Sequence, residues 1–240
     1  MEKLKAGAQK MGLHLSPEQL EQFETYYHEL VDWNRRVNLT SITGYEEVQV
    51  KHFLDSLTVT LVLKPTVVGK SFSVVDVGTG AGLPGIPLKI LLPDVKLVLL
   101  EATAKKADFL RHFMSELRLD DVEVVVGRAE ELAHDARYRE KFELVLSRAV
   151  APLPTLVELT LPFCAVGGSF VAQKKGAIAP EVAKASRAIT VLGGNLRQVK
   201  GIDLKEFGDK RWLVAIDKIM PTPQQYPRCP GMPAKRPILP

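Results

Sequence analysis

Glycines stand at alternate positions in Asp76-Val77-Gly78-Thr79-Gly80-Ala81-Gly82, just after the apolar pair Val74-Val75 and just before Leu83-Pro84-Gly85-Ile86-Pro87-Leu88. Read in order, this is a strand, a glycine-rich turn and a helix. Glycine has no Cβ, so such a turn lets a ligand lie against bare backbone. Proline near a helix start is harmless, because the N–H it lacks would be unpaired there anyway.

The turn fits two registers. Gly80-Ala81-Gly82-Leu83-Pro84-Gly85 matches the dinucleotide fingerprint G-x-G-x-x-G. Shifted by two, Asp76-x-Gly78-x-Gly80-x-Gly82 matches the pattern of S-adenosylmethionine (AdoMet) methyltransferases. A dinucleotide places a pyrophosphate at this turn, against the positive end of a helix. The carboxylate of Asp76 opposes that anion but favours the ammonium and sulfonium of AdoMet. A bare βα turn without a ligand is the plain alternative, yet three glycines in five residues cost backbone entropy that an ordinary turn need not lose.

The remaining βαβ pattern extends this unit. Strands are expected at residues 74–77, 96–100, 122–126, 144–146 and 169–173, with helices at 84–92, 105–117, from 128, around 155–161 and at 180–192. Short, apolar strands of this kind suit a parallel sheet covered on both faces. Residues 196–204 and 212–219 come without a long helix between them. They predict a closing antiparallel pair, which gives an α/β, doubly wound, mostly parallel seven-stranded sheet of the AdoMet-dependent methyltransferase type. A dehydrogenase would continue with further βαβ units.

Residues 1–63 read as a helical extension packed on the body, residues 64–220 as the methyltransferase domain, and residues 221–240 as a Pro-rich basic tail. Ser16-Pro17-Glu18-Gln19 is a helix-start signature. Leu20, Phe23, Tyr27, Leu30 and Trp33 then recur at helical spacing as the inward stripe. A second helix is expected from about Glu46 to Leu63, with Val50, Leu54, Leu57 and Leu61 inward. The tail carries seven prolines, three Lys/Arg and no acid, so it should be extended and irregular.

Charge is spread unevenly. Residues 1–63 carry 6 Lys/Arg against 9 Asp/Glu, whereas residues 165–240 carry 13 against 5. A basic segment on a balanced body points to a polyanion, most often nucleic acid, with plain solubility as the alternative. Arg35, Arg36, Lys174, Lys175, Arg228, Lys235 and Arg236 are the clustered candidates for phosphate contacts. No apolar run approaches the roughly 20 residues of a membrane helix, and the N-terminus lacks the apolar core of a secretory signal. The two cysteines, Cys164 and Cys229, fit a reducing cytoplasm. The expectation is a cytoplasmic protein without membrane contact and without an obligate dimer.

Other candidates sit where strands end. Glu101 closes the second strand about 20 residues beyond the turn, where an acid accepts hydrogen bonds from ribose hydroxyls in either kind of adenosine cofactor. Gly127-Arg128-Ala129-Glu130-Glu131 follows the third strand, where Glu130 could accept from an adenine amine. Arg148, in Ser147-Arg148-Ala149, follows the fourth strand and could clamp a carboxylate or phosphate. The Asn/Asp-Pro-Pro-aromatic run of amine methylation is absent here, no cysteine is placed as a pyrimidine nucleophile, and no His/Cys cluster has zinc spacing, so no metal is expected.

Taken together, these segments resemble the bacterial small-subunit ribosomal RNA guanine-N7 methyltransferase family, also called glucose-inhibited division protein B. The resemblance runs through Asn38-Leu39-Thr40-Ser41-Ile42, His52-Phe53-Leu54-Asp55-Ser56-Leu57, the glycine turn through Pro87, residues 127–131 and 147–149, and Tyr226-Pro227-Arg228-Cys229-Pro230-Gly231. It implies an AdoMet-dependent enzyme that methylates N7 of one guanine in a decoding-region loop of 16S rRNA, as free RNA or within the 30S subunit or a precursor. It implies cofactor contacts at Gly78, Leu83, Ala129, Glu130 and Arg148, to which the turn itself adds Asp76, Gly80 and Gly82. Arg148 is expected between cofactor and guanine as a positioning group, with no general base. A small-molecule methyltransferase and a non-catalytic RNA-binding module of the same fold remain the alternatives.

Overall fold

The computed structural model describes residues 1–64 and 71–240. The expected start of the second domain at residue 64 leads directly into residues 65–70, which lie outside the described residues. Five parallel strands form most of the sheet: β1 (Ser73–Val77), β2 (Lys96–Glu101), β3 (Val122–Val126), β4 (Phe142–Arg148) and β5 (Cys164–Lys175). The closing pair, β6 (Gly194–Ile202) and β7 (Arg211–Lys218), is antiparallel, and β7 inserts between β5 and β6. The order is β3-β2-β1-β4-β5-β7-β6, so the sense in which successive strands are laid down reverses between β1 and β4, which themselves run parallel. At such a reversal the loops beyond the strand ends part and leave a crevice.

Alternation along each strand sorts residues to two faces. Val74, Leu97, Leu144 and Leu213 join one buried cluster, while Val75, Val145, Phe170 and Val214 join the other. Helices α8 (Leu153–Thr160) and α9 (Ala179–Val191) cover the second face. The first is covered by α5 (Gly85–Leu91), α6 (Ala104–Leu117) and the N-terminal helices α1 (Glu2–Lys10) and α2 (Pro17–Asn34). Leu4, Phe23, Leu30, Phe53 and Leu54 therefore share a core with the sheet. A one-turn helix, α7 (Ala129–Leu132), follows its N-cap residue Arg128.

The capping box at Ser16 and Gln19 closes in both directions. The stripe it opens differs by one residue from the sequence expectation: Tyr26 is fully buried, whereas Tyr27 and Trp33 are half-buried. Both aromatics are compatible with helical spacing, and only docking onto α6 and the turn selects between them. The second N-terminal helix is not one regular α-helix. It runs as α3 (Tyr45–Val48), a π-helical stretch Gln49–Leu54, α4 (Asp55–Leu57) and a 3-10 stretch Thr58–Val62. The widened turns carry Lys51 and His52 and lead directly into Asp55, in keeping with the frequency of π turns at functional sites.

β4 and β5 are longer than their apolar centres suggested. Polar ends at Ser147-Arg148 and Lys174-Lys175 still pair with neighbouring strands, because ladder hydrogen bonds do not depend on side-chain polarity. The tail is mostly irregular, with a single turn of helix α10 (Met232–Lys235), and it is held by side chains of the body. Arg139 donates to the carbonyls of Tyr226 at 2.8 Å and Thr222 at 3.0 Å. The backbone N–H of Arg228 donates to Glu158 Oε1 at 2.9 Å, and the Arg228 guanidinium forms a forked pair with the same carboxylate at 2.9 and 2.7 Å.

Candidate functional site

Gly78, Gly80 and Gly82 adopt φ values of 70, 60 and 92°, where any Cβ is strained. The turn is pinned from three sides. Gly78 N and Thr79 N donate to Leu100 O on β2 at 2.9 and 3.1 Å. Asp76, fully buried, accepts from Thr79 Oγ1 at 2.7 Å and Gly85 N at 2.9 Å. Tyr26 Oη donates to Ala81 O at 2.6 Å, which ties α2 to the turn.

Asp76 thus braces the turn internally. Burial, only partly opposed by these hydrogen bonds, pushes its carboxyl up to about 6. Its Oδ1 is buried and has no partner among the described residues. Glu101 is also occupied by backbone: Oε2 accepts from Gly80 N at 3.0 Å and Oε1 from Thr103 N at 2.8 Å.

Two cavities meet at Gly78. The first, of about 300 Å³, is lined by Val77 of β1, Leu100 of β2 and Ala102 just after it, by Gly127 and Arg128 of the loop after β3, and by Ala129 and Glu130 from α7. Val150 and Thr155 close it from the loop after β4 and from α8, and Gly231, Pro233 and Ala234 of the tail complete the wall. Glu130, 5% exposed, is fixed by Arg128 and by the N–H of Gly231, each at 3.0 Å. The second cavity, of about 280 Å³, is lined by Gly80 and Leu83 of the turn, Thr40, His52 and Asp55 of the N-terminal segment, and the cations Lys51, Lys106, Arg148 and Lys175.

Arg148 lies where β4 meets the π turn. Its Nη1 donates to Lys51 O at 3.1 Å and Asp55 Oδ2 at 3.0 Å. Arg211 reaches the same Asp55 oxygen at 3.4 Å. His52 shares a 2.7 Å hydrogen bond with Thr40 Oγ1. Burial, reinforced by the Arg148 charge, lowers the imidazole to about 3, so His52 is neutral and weakly basic near pH 7. Ala149, next to Arg148, holds a φ of 57° without being glycine, a backbone strain of the kind concentrated at functional loops.

The sequence candidates are therefore placed as follows. Gly78, Ala129 and Glu130 line the first cavity, and Gly78, Gly80, Leu83, Arg148 and Lys175 the second. Asp76, Gly82 and Glu101 line neither and support the turn. Arg35 and Arg36 are exposed at the end of α2, paired with Asp32 at 3.7 and 2.7 Å. Lys174 is tied to Glu181 at 2.6 Å and Ala151 O at 2.9 Å. Arg228 pairs with fully buried Glu158, which gives it a structural role in holding the tail. Lys235 and Arg236 are exposed at α10. Sequence reasoning did not single out Tyr26, Gln173 or Arg211. Asp55 lay inside a quoted motif without an assigned role.

The residues present suit AdoMet. Mostly apolar walls accept a purine, the Glu130 carboxylate lies among them, and a buried carboxylate with one free oxygen stands behind the turn, which favours a cationic over a diphosphate ligand. Among the described residues no group of His, Cys, Asp or Glu is arranged to hold a metal ion, and no helix is long and apolar enough to cross a membrane.

Sheet order and crevice define a doubly wound protein of the methyltransferase type. Residues 19–210 match the family described as rRNA small subunit methyltransferase G. Ribosomal RNA small subunit methyltransferase G of Dehalococcoides mccartyi (strain CBDB1) is 50% identical over 239 residues, covering 100% of both chains. The chain belongs to this methyltransferase family. The fold recurs in solved structures of low identity. Precorrin-6y C5,15-methyltransferase from Geobacter metallireducens has a TM-score of 0.51 at 14% identity, over 69% of this chain and 87% of that one. A mutant of MtNAS in complex with S-adenosylmethionine has a TM-score of 0.54 at 14% identity, over 90% and 77%.

Proposed function

We propose that the protein transfers the methyl group of AdoMet to N7 of a guanine in a decoding-region loop of 16S rRNA, acting as a cytoplasmic monomer on the 30S subunit or its precursor. The observation that carries this reading is the meeting of two unlike cavities at Gly78. One is apolar and nucleoside-sized, and the other is lined by four cations. In this reading the nucleoside of AdoMet lies against Gly78, Ala129 and Glu130 in the first cavity, its methionine end passes Gly78 to reach Leu83 and Arg148, and the rest of the cationic cavity receives the RNA base. AdoMet supplies an electrophilic methyl group on a positively charged sulfur.

The side chains around the second cavity fit a nucleophile that has no proton to lose. Guanine N7 carries a lone pair and no hydrogen at neutral pH. His52, held down to about 3, is too weak a base for efficient proton abstraction near pH 7, and Arg148 is a permanent cation. Their task is orientation. Arg148 is locked by Asp55 and the Lys51 carbonyl, so it presents a fixed edge to the second cavity. Alignment of bound reactants contributes roughly 7–11 kcal/mol in favourable cases. The target base must leave its stack, at a cost of a few kcal/mol that RNA loops reduce.

The test is methyl transfer from labelled AdoMet to 30S subunits, naked 16S rRNA and 70S ribosomes, followed by nucleoside analysis. The expected product is 7-methylguanosine. Any other methylated nucleoside, or transfer only to small molecules, overturns the reading.

A further inference from the structure

A third cavity, of about 230 Å³, adjoins the second and shares Asp55, Arg148, Ala149 and Lys175 with it. Gln173 and Arg211, on β5 and β7, also line it. Both are nine-tenths buried, at 6% and 4% exposure, and each has one buried atom without a partner among the described residues: Gln173 Oε1 and Arg211 Nη2. The rest of each side chain is committed. Arg211 Nε donates to Asp209 at 2.6 Å, and Nη1 lies 3.4 Å from Asp55 Oδ2. Gln173 Nε2 donates to the Asp55 carbonyl and to Thr58 Oγ1, which fixes the amide with its oxygen as the free end.

The neighbouring carboxylates are also committed. Asp55 is shared by Arg148 and Arg211, and Glu181 is held by Lys174 and the N–H of Leu153. Arg148, Lys174, Lys175 and Arg211 outnumber the two lining carboxylates, so the cavity is net positive. Burial, followed by the charge of Arg211, lowers the Lys175 ammonium below its usual range, a crowding that an anion relieves. A buried donor and a buried acceptor left unpaired are each costly. A ligand that satisfies both brings an acceptor and a donor together, and the net positive lining favours an anionic acceptor beside a hydroxyl donor.

We propose that this cavity binds a ribose–phosphate unit of the RNA strand beside the target guanine, with the phosphate on Arg211 and Lys175 and the 2′-hydroxyl donating to Gln173 Oε1. It rests on the rRNA reading above and deepens it, since the 2′-hydroxyl is the group by which a protein separates RNA from DNA.

Steady-state methyl transfer to 30S subunits tests it, with Lys175→Ala and Arg211→Lys. Lys175→Ala is expected to reduce the salt slope of log(kcat/KM) by about 0.7, the value for one single-strand phosphate contact. Arg211→Lys keeps the charge and loses the forked donor, so KM should rise about tenfold with kcat and AdoMet affinity little changed. Guanosine 5′-monophosphate should inhibit the wild type better than its 2′-deoxy form or guanosine, and this order should collapse in Arg211→Lys. Unchanged KM, salt slope and inhibitor order overturn the proposal. A lowered Tm and weaker AdoMet binding at constant KM also overturn it, by making Arg211 structural only. If the wild type binds AdoMet but methylates no rRNA, the rRNA reading fails instead. Inorganic phosphate then reads the cavity directly: a Tm gain in the wild type that is lost in Arg211→Lys supports the anion site, and no difference refutes it.

Discussion

Tyr26→Phe removes a single oxygen from the junction between the helical extension and the glycine turn. Tyr26 is fully buried, and burial raises its phenol well above its usual pKa, so the hydroxyl stays protonated as a donor. It donates to Ala81 O at 2.6 Å, and no other donor reaches that carbonyl among the described residues. The phenylalanine ring preserves the contacts with Phe53 and Phe113, whose centroids lie 4.9 and 4.4 Å away. What is lost is the hydrogen bond, leaving a buried carbonyl unpaired at a cost of about 1–3 kcal/mol. A chain of this size loses about 2–4 °C in Tm per kcal/mol, so Tm should fall by about 2–12 °C. Ala81 belongs to the same turn as Gly78, which walls both cavities, so AdoMet affinity should fall about fivefold, the equivalent of about 1 kcal/mol. Thermal unfolding followed by circular dichroism and calorimetric titration with AdoMet measure the two effects. An unchanged unfolding midpoint together with an unchanged AdoMet Kd would refute the view that α2 holds the turn in its binding conformation.

Gly82→Ala places a Cβ 2.1 Å from Ile86 Cδ1 and 2.9 Å from Tyr26 Oη at a φ of 92°, so AdoMet binding by calorimetry should be lost or weakened more than in Tyr26→Phe. For Asp76, burial raises the folded carboxyl from 3.8 to about 6, so the folded state holds the proton more tightly than the unfolded chain. Its contribution is fully present below about pH 4, falls by about 3 kcal/mol as pH rises to about 6, and is flat above; urea titrations should show this trend in the wild type relative to Asp76→Asn. Arg228→Ala leaves Glu158 buried without its ion-pair partner and should cost about 3–5 kcal/mol in urea unfolding. It should also weaken AdoMet binding, because Gly231 and Pro233 wall the first cavity; a rise in rRNA KM alone, at unchanged stability, contradicts the structural role. Between pH 6 and 8, kcat/KM should show no histidine limb from His52, which is already neutral there.

Much of the molecule is legible in local pattern. The apolar runs at Val74-Val75 and Leu97–Leu100 mark neighbouring strands, the glycines mark the turn that must bend through positive φ, and the lack of a long helix before Trp212 marks the antiparallel close. These features depend on a residue's own backbone preferences or on spacing within one element, so they are written in order along the chain. The family motifs likewise bring Gly78, Leu83, Ala129, Glu130 and Arg148 to the crevice, because Gly78 and Leu83 follow β1, Ala129 and Glu130 follow β3 and Arg148 ends β4, all at the same C-terminal edge of the parallel strands.

Charge partners are another matter. Counting basic residues cannot separate Arg228, which is consumed by buried Glu158, from Lys175, which lines the crevice. Nor does helical spacing choose Tyr26 over Tyr27, or reveal that Asp76 and Glu101 spend their oxygens on the backbone of the turn. The sequence by itself determined the sheet, the glycine turn and the family. Only the tertiary structure decided that Asp55, Arg148 and Arg211, drawn from the helical extension, β4 and β7, share one carboxylate. The physical reason is that backbone preference and periodicity act locally, whereas burial and pairing of charges depend on which distant segments the fold brings into contact.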